Sequence, residues 1–430
     1  MPPECSLYIS IDVGGSQTKI IYQFNGSKSP QYLLMSPGIE QITKEDLEQY
    51  KQRLGWIGAP TPIKQAWLEW KGSIFVVGDF VSEFAPQDRI FERKYENALY
   101  KVLAAVGVIL ETHKVVNKRK GNTEPPKVNL YLGLLLPWNE YNDRHRFQEQ
   151  LVLMLKSFKF RGKSWKVSLS GFLCRPEGGG LAAIRIKQNG LGWLQSHKIA
   201  VLMFGHRNVT AIYFEGGIIK CGDSPSLGFS TFLDDVCSRV SGLERDKLAA
   251  AIFKGLESAH FQVYKDETTV HPQWVKLKQI AALATAKDEI LRASEIEDIA
   301  AAIEMATRTY WLRIKKWLDK NLPAIPNEVI IGGGAAAFLE PELEEYFNCQ
   351  LATHAGAPKR QTGERPPKYS SRNYHDHAEL VWVADIQQQI QKIFELNWQE
   401  RTQQSFRLID CFGMFDQLKD FIKETENAES

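Results

Sequence analysis

Asp12-Val-Gly-Gly-Ser-Gln-Thr-Lys19 combines the residue types that phosphate and metal chemistry need. An aspartate at the end of an apolar strand can hold a metal ion through water. Gly14, Gly15 and Ser16 let backbone N–H groups approach phosphate oxygens, and Lys19 adds a positive charge nearby. Taken by itself, this turn reads equally as an ordinary hairpin. A second candidate is Ile330-Ile-Gly-Gly-Gly-Ala335, a strand running through three glycines toward a helix. Backbone without side chains lets a base or ribose lie flat there, and a helix N-terminus favours phosphate. In Leu136-Pro-Trp-Asn-Glu140-Tyr-Asn-Asp-Arg144 a carboxylate follows a buried strand and could polarise an attacking water, although a solvated loop glutamate looks the same in isolation. Gly222-Asp-Ser-Pro-Ser-Leu-Gly-Phe-Ser230 is a small-residue turn before a helix.

The elements that must position these residues follow from patterning. Residues 7–24 read as strand, glycine turn, strand, and residues 198–219 repeat the pattern, with Gly205 where Gly14 falls and Tyr213 where Tyr22 falls. Two such hairpins, about 190 residues apart, predict two similar α/β halves facing each other across a cleft, with phosphate between the turns. Strands are predicted at residues 72–78, 128–137 and 327–334, and helices at 95–110, 230–239, 247–254, 294–318 and 335–347. Residues 353–377, rich in Pro, Gly, Lys and Arg, read as an exposed loop, and the last forty or so as amphipathic helices; no strand-turn signature stands out near residues 381–385.

Bulk properties narrow the function class. A chain of 430 residues, 43% hydrophobic and 24% charged, fits two soluble domains, and no apolar run approaches the roughly 20 residues a bilayer crossing needs. The first residues carry no basic start and apolar stretch, so the expectation is a cytoplasmic protein without membrane contact. Cys5, Cys174, Cys221, Cys237, Cys349 and Cys411 form no CxxC pair and read as free thiols. A net charge of +2 points neither toward nor away from nucleic acid. The basic stretches 113–120 and 359–372 read as solvated loops or a partner surface, His375 and His377 as ordinary surface, and Trp56, Trp67 and Trp70 as packing.

In this order the motifs resemble the actin/Hsp70/sugar-kinase superfamily, with IDVGGSQTK as its phosphate-1 loop, residues 199–212 as phosphate-2 and VIIGGGAAAF as the adenosine loop. LPWNEYNDR, GDSPSLGFS and KYENALYKVLAAVG resemble segments of the ParM/StbA family of plasmid-segregating filament ATPases, and the resemblance spans about residues 7–350. It implies an α/β, actin-like (ribonuclease H-like) duplicated fold with a nucleotide cleft between the domains. Domain I would cover 1–195, domain II 196–385 and a carboxy-terminal helical extension 386–430. It also implies a filament that assembles head to tail, uses ATP or GTP with Mg²⁺, and reaches plasmid DNA through an adaptor without touching nucleic acid itself. By the same resemblance Asp12 holds Mg²⁺ through water, and Gly14, Gly15, Ser16, Gln17 and Lys19 contact phosphates. Glu140 positions the attacking water, and Gly332, Gly333, Gly334 and Ala335 line the adenosine side. One position departs from the family: where its phosphate-2 turn has an aspartate, this chain has Met203, whose thioether is a poor ligand for a hard ion. The turn here is Gly205-His206-Arg207-Asn208, whose cationic side chains can meet phosphate directly. Slow hydrolysis is therefore expected. The alternatives are a hydrolysis-deficient structural polymer and, less favoured, a sugar or metabolite kinase of the same superfamily.

Overall fold

The computed structural model describes residues 5–54, 60–84, 94–115, 127–263, 277–322, 326–348, 378–397 and 401–429. The exposed loop expected at 353–377, with His375 and His377, lies outside them, as do Trp56, Cys349 and most of both basic stretches. The chain divides into two compact units: residues 1–184, 389–396 and 408–430 form the first, and residues 185–388 and 397–407 the second.

In the first unit the strands are β1 (Cys5–Val13), β2 (Thr18–Phe24), β3 (Gln31–Met35), β4 (Ile39–Ile42), β5 (Trp67–Trp70), β6 (Ser73–Val77), β7 (Lys127–Leu136), β8 (Phe158–Phe160) and β9 (Lys163–Pro176). They form one sheet in the order β3-β2-β1-β7-β9-β8-β5-β6-β4. Among them run helices α1 (Lys44–Leu54), α2 (Lys94–Thr112), α3 (Arg144–Leu155) and α4 (Gly179–Asn189), the last of which begins in this unit. Alternation along β1 puts Leu7, Ile9, Ile11 and Val13 into the core, while Ser10 and Asp12 take the opposite face and are buried too. A strand covered on both sides is the usual state of parallel pairing, and β1 and β7 run parallel with Asp12 level with Leu135. The predicted packing role of Trp67 holds: it joins Leu47, Tyr50, Phe80 and Val81 in a small satellite core under α1.

The second unit contains α5 (Leu191–Ser196), β10 (Ile199–Phe204), β11 (Val209–Glu215), β12 (Ile218–Asp223), α6 (Phe229–Arg239), α7 (Arg245–Val263), α8 (Leu277–Ile280), α9 (Glu289–Asn321), β13 (Glu328–Gly332), α10 (Glu340–Asn348), β14 (Glu379–Val381) and the start of α11 (Ala384–Ile393), which belongs to the first unit from Gln389 onward. Its sheet order is β12-β11-β10-β13-β14. This order repeats the first five strands of the larger sheet, with the same senses: two antiparallel steps, then two parallel ones. The faint duplication in the sequence is thus a duplication of topology. Strand β14, three residues long, carries no readable period of its own and exists through its pairing with β13.

Helix ends follow their caps. α9 starts earlier than periodicity predicts because the Asp288 carboxylate accepts N–H bonds from Ile290 and Leu291, both 3.0 Å. The single helix expected over 335–347 is instead a short 3₁₀ turn at Ala336–Phe338 followed by α10. Pro341 has no N–H to continue the ladder and its ring opposes the preceding turn, so a helix can start there and cannot run through. The last helix, α12 (Arg401–Glu429), belongs to the second unit through Arg407 and to the first from Leu408 onward. In the first unit its Met414, Leu418 and Ile422 pack with Leu135 and Leu173.

Candidate functional site

Each unit presents a glycine hairpin at the corresponding place in its sheet. In the first, Asp12 pairs with Lys19 and Val13 with Thr18, leaving Gly14–Gln17 as the turn. The Gly14 N–H donates to the Asp12 carbonyl at 3.0 Å, and any Cβ on Gly14 would collide with the Gln17 carbonyl. Only glycine fits. Asp12 is 5% exposed, and its carboxylate accepts a 2.5 Å hydrogen bond from the Lys19 ammonium. Ser16, at the tip, is exposed.

In the second unit Met203 pairs with Thr210 and Phe204 with Val209, leaving Gly205–Asn208 as the turn. A Cβ on Gly205 would stand 2.8 Å from the Asn208 carbonyl, in the same relation as at Gly14. The registers of the two hairpins therefore coincide: Asp12 corresponds to Met203 and Lys19 to Thr210. Met203 is buried, and Thr210 bonds the Ser224 hydroxyl at 2.8 Å. The turn carbonyls of Gly205, His206 and Arg207 accept from Phe229, Ser230 and Gly228, at 3.0, 2.8 and 3.0 Å. The start of α6 spends these N–H groups on the turn, and Gly228 must be small there because a Cβ would strike the His206 and Arg207 backbone. Trp317 and Tyr310 of α9 hold the same segment, through Asp223 at 2.8 Å and the Leu227 carbonyl at 3.0 Å.

The glycines after β13 serve the same neighbourhood. Gly333 has φ +90° and lies so near the Phe204 backbone that a Cβ would strike its carbonyl, while the Ala335 N–H donates to that carbonyl at 3.0 Å. Gly332, beside Met203 in the register, Gly334 and Ala335 are thereby seated next to the Gly205–Asn208 turn. Burial holds the His206 imidazole below its usual pKa. Asp246 and Asp234 act upward on it, and Arg407 and Arg245 downward.

Glu140 lies half-buried on a 3₁₀ turn, Trp138–Asp143, just past the end of β7. A second carboxylate, which the sequence motifs above do not include, stands nearby in the fold. Glu177, 8% exposed, follows β9, and its N–H donates to the Leu136 carbonyl at 2.8 Å. It opens the run Glu177-Gly-Gly-Gly180, and this carboxylate followed by glycines is a signature that could have pointed to it. Beneath it the buried Asp410 carboxylate accepts from the Gly178 N–H at 2.8 Å and the Leu181 N–H at 3.1 Å, at the start of α4. Burial first, and then the charges of Asp12 and Glu177, push Asp410 up to about 7 against the lowering effect of its two backbone N–H bonds. α4 and α12 touch backbone to backbone, since a Cβ on Gly180 would collide with the Asp410 carbonyl and one on Gly413 with the Gly180 carbonyl. Asp12, Glu140 and Glu177 all lie at the carboxyl ends of parallel strands of one sheet, the edge where α/β folds bind ligands.

The donor sets fit a nucleotide better than a protein-held metal. Glycine turns in both units permit close backbone approach. Among the described residues no cluster of three His, Cys, Asp or Glu could hold a metal ion. Asp12 offers one carboxylate already paired with Lys19, which suits contact with a nucleotide-borne Mg²⁺ through water, and Met203 adds no oxygen.

No protein-family model matches the sequence, and no curated protein matches it. Among solved structures, the actin-like protein Alp7A is similar over 99% of both chains, with a TM-score of 0.55 at 14% identity. A Bacillus thuringiensis ParM hybrid protein with ADP, containing two ParM mutants, is similar over 97% of this chain and 50% of its own, with a TM-score of 0.50 at 15% identity. Identity this low speaks to the fold. Because the likeness to Alp7A runs the whole length of both chains, and the two sheets repeat one strand order, this protein has the duplicated, two-domain actin-like fold.

Proposed function

We propose that the protein is a nucleotide-dependent, filament-forming actin-like protein that binds ATP or GTP through its two glycine hairpins and hydrolyses it slowly. The observation that carries this reading is the matched register of the hairpins, each with a glycine where a side chain would obstruct the turn backbone. Gly14, Gly15, Ser16, Gln17 and Lys19 contact phosphate on one unit. Gly205, His206, Arg207 and Asn208 do so on the other, with Gly332, Gly333, Gly334 and Ala335 on the adenosine side. Asp12 reaches a nucleotide-borne Mg²⁺ through water. Glu140 orients the attacking water in the sequence resemblance; its half-buried place past β7 and the burial of Glu177 beside the same strand make both carboxylates candidates for that role. The resemblance to plasmid-segregating filament ATPases supports head-to-tail, non-closing self-association, with DNA reached through an adaptor in a soluble, cytoplasmic setting.

Light scattering of the purified chain with Mg²⁺ and ATP or GTP, with phosphate release followed in the same sample and the product viewed by electron microscopy, tests this. Filaments that appear with nucleotide and fade as phosphate is released are expected, and absence of polymer with every nucleotide would refute the filament. Glu140→Gln and Glu177→Gln then decide which carboxylate limits release. A second reading, a structural polymer with almost no hydrolysis, is favoured by one observation: buried Met203 stands at the register position of Asp12. Stable filaments with little phosphate release would select it.

A further inference from the structure

The first unit carries a basic sheet face at the edge opposite its candidate site. Lys156, Lys159, Arg161, Lys163 and Lys166 follow one another with no acidic residue between them. Lys127 and Lys166, near the starts of β7 and β9, are level in the parallel pairing of those strands, whereas Glu140 and Glu177 stand past their carboxyl ends. Alternation turns Val128, Trp165 and Val167 into the core and leaves Lys127, Ser164, Lys166 and Ser168 exposed on the other face, which α12 covers only further along, at Tyr131, Leu135 and Leu173. Lys159 is paired with Glu69 and Arg161 with Glu111, but Lys127, Lys156 and Lys166 have no ion pair among the described residues. The second unit carries the opposite charge on the first half of α9. Residues 288–304 hold Asp288, Glu289, Glu295, Glu297, Asp298 and Glu304 against one cation, Arg292. Asp288 caps the helix, Glu295 accepts from the Thr285 and Ala286 N–H groups, and Glu304 pairs with Arg308. Glu289, Glu297 and Asp298 are exposed and have no ion pair among the described residues, and beside Glu289 stand Ile290, 81% exposed, and Leu291, 63% exposed.

Either face set against its own counterpart in a second chain brings like charges together, which costs far more than an exposed ion pair returns. Two-fold pairing through either face is therefore disfavoured. The attractive encounter is basic face to acidic face, two different surfaces and hence a heterologous contact. We propose that the sheet face bearing Lys127 and Lys166 in one copy docks on the acidic first half of α9 in a second copy, and that this contact joins successive subunits. A nucleic acid backbone has the right sign too. The second copy is the better fit because two cations of the basic run are already neutralised within the chain, and its aromatic residues, Phe158, Phe160 and Trp165, are buried and offer no base a stacking partner. The proposal rests on the filament reading above and names the two surfaces that meet.

Light scattering of the full chain with Mg²⁺ and nucleotide gives the critical concentration for assembly. Lys127→Glu with Lys166→Glu, and separately Glu297→Lys with Asp298→Lys, are each expected to raise it by about tenfold or more. An equimolar mixture of these two chains is expected to assemble within about threefold of wild type, because each reversed face then meets its complement in the other chain. Recovery in the mixture separates a lost contact from a lost fold. Assembly of either variant alone like wild type overturns the proposal, and so does a mixture that fails to assemble although both chains keep their circular dichroism and melting temperature. Wild type supplies an arm that needs no variant: its critical concentration should rise several-fold from about 50 to about 300 mM KCl, and assembly independent of salt overturns the proposal. Duplex DNA binding that Lys127→Glu with Lys166→Glu abolishes, with assembly unchanged, would reassign the face to nucleic acid and overturn it as well. Absence of wild-type polymer with every nucleotide would remove the filament reading itself, and the proposal with it, and is distinct from all of these.

Discussion

Asp12 and Lys19 show how one residue pair can carry both stability and chemistry. Both are largely buried, so removing one leaves the other's charge less compensated in a poorly solvated place, and breaking such a pair costs several kcal/mol. Lys19→Met should destabilise the chain by on the order of 3 kcal/mol in urea unfolding, whereas Asp12→Asn combined with Lys19→Met should cost clearly less, because no charge is then left unpaired. Equal costs for the single and double variants would show that the pair is not coupled. Asp410 makes a prediction about pH. Its folded value of about 7 stands above the ordinary 3.8, chiefly through burial, so folding favours its protonated form. The stability this contributes is complete below about pH 4 and is lost as pH rises through 7, by at most about 4 kcal/mol. Other carboxylates titrate in the opposite sense: Asp79, for example, is lowered first by its hydrogen bond from Lys64. The readout is therefore the difference between wild type and Asp410→Asn in urea, with the variant gaining on wild type from pH 5 to pH 8. A difference independent of pH would mean that Asp410 does not titrate in this range.

At the scale of elements, the glycine segment after β13 is the most sharply constrained connection. Gly333 has both a left-handed backbone, φ +90°, and the Phe204 carbonyl where a side chain would stand. Gly190, before α5, has φ +84° with nothing within 4 Å of a Cβ. Gly190→Ala should therefore cost about 1 kcal/mol for the backbone alone, while Gly333→Ala should cost on the order of 3 kcal/mol, because the β10–β13 edge must also shift. Thermal unfolding of the two variants compares them, and equal losses would mean that the close approach carries no energy. The strand-turn-strand element of each hairpin is legible in the sequence because alternation of apolar residues and turn glycines is a local signal. The strand β14 and the break before α10 are not legible in that way: β14 is too short to show a period, and Pro341 sits inside an otherwise helical pattern.

For the molecule as a whole, α12 is the element whose position matters most. Its residues from Leu408 onward complete the first unit's core, where Met414, Leu418 and Ile422 cover Leu135 and Leu173, and Ser10 donates to the Cys411 carbonyl at 2.9 Å. Removing residues 408–430 should uncover this apolar surface and leave the chain insoluble or aggregated, as judged by the soluble fraction and size-exclusion chromatography. A monodisperse, cooperatively melting truncated chain would show instead that these residues are an appendage. Met203→Asp tests the site at the same scale. With an acidic residue in both hairpins, phosphate release should rise if the missing carboxylate is what limits it, and unchanged release would show that it is not.

The places of the two hairpins, and their kinship, are written in the amino-acid sequence. Gly14 and Gly205, and Asp12 and Met203, stand at one constant offset, and a hairpin's register follows from its own turn and alternation. The Met203 departure is therefore legible from the residues alone. Tertiary packing was needed to give the two sheets one strand order, to bury Glu177 at the end of β9, and to bring Asp410 to the first unit's candidate site. Asp410 meets Gly178 across 232 residues of chain. Contacts of that span are selected by packing and by the burial of polar groups that must find partners, and neither leaves a period or a spacing in the local sequence.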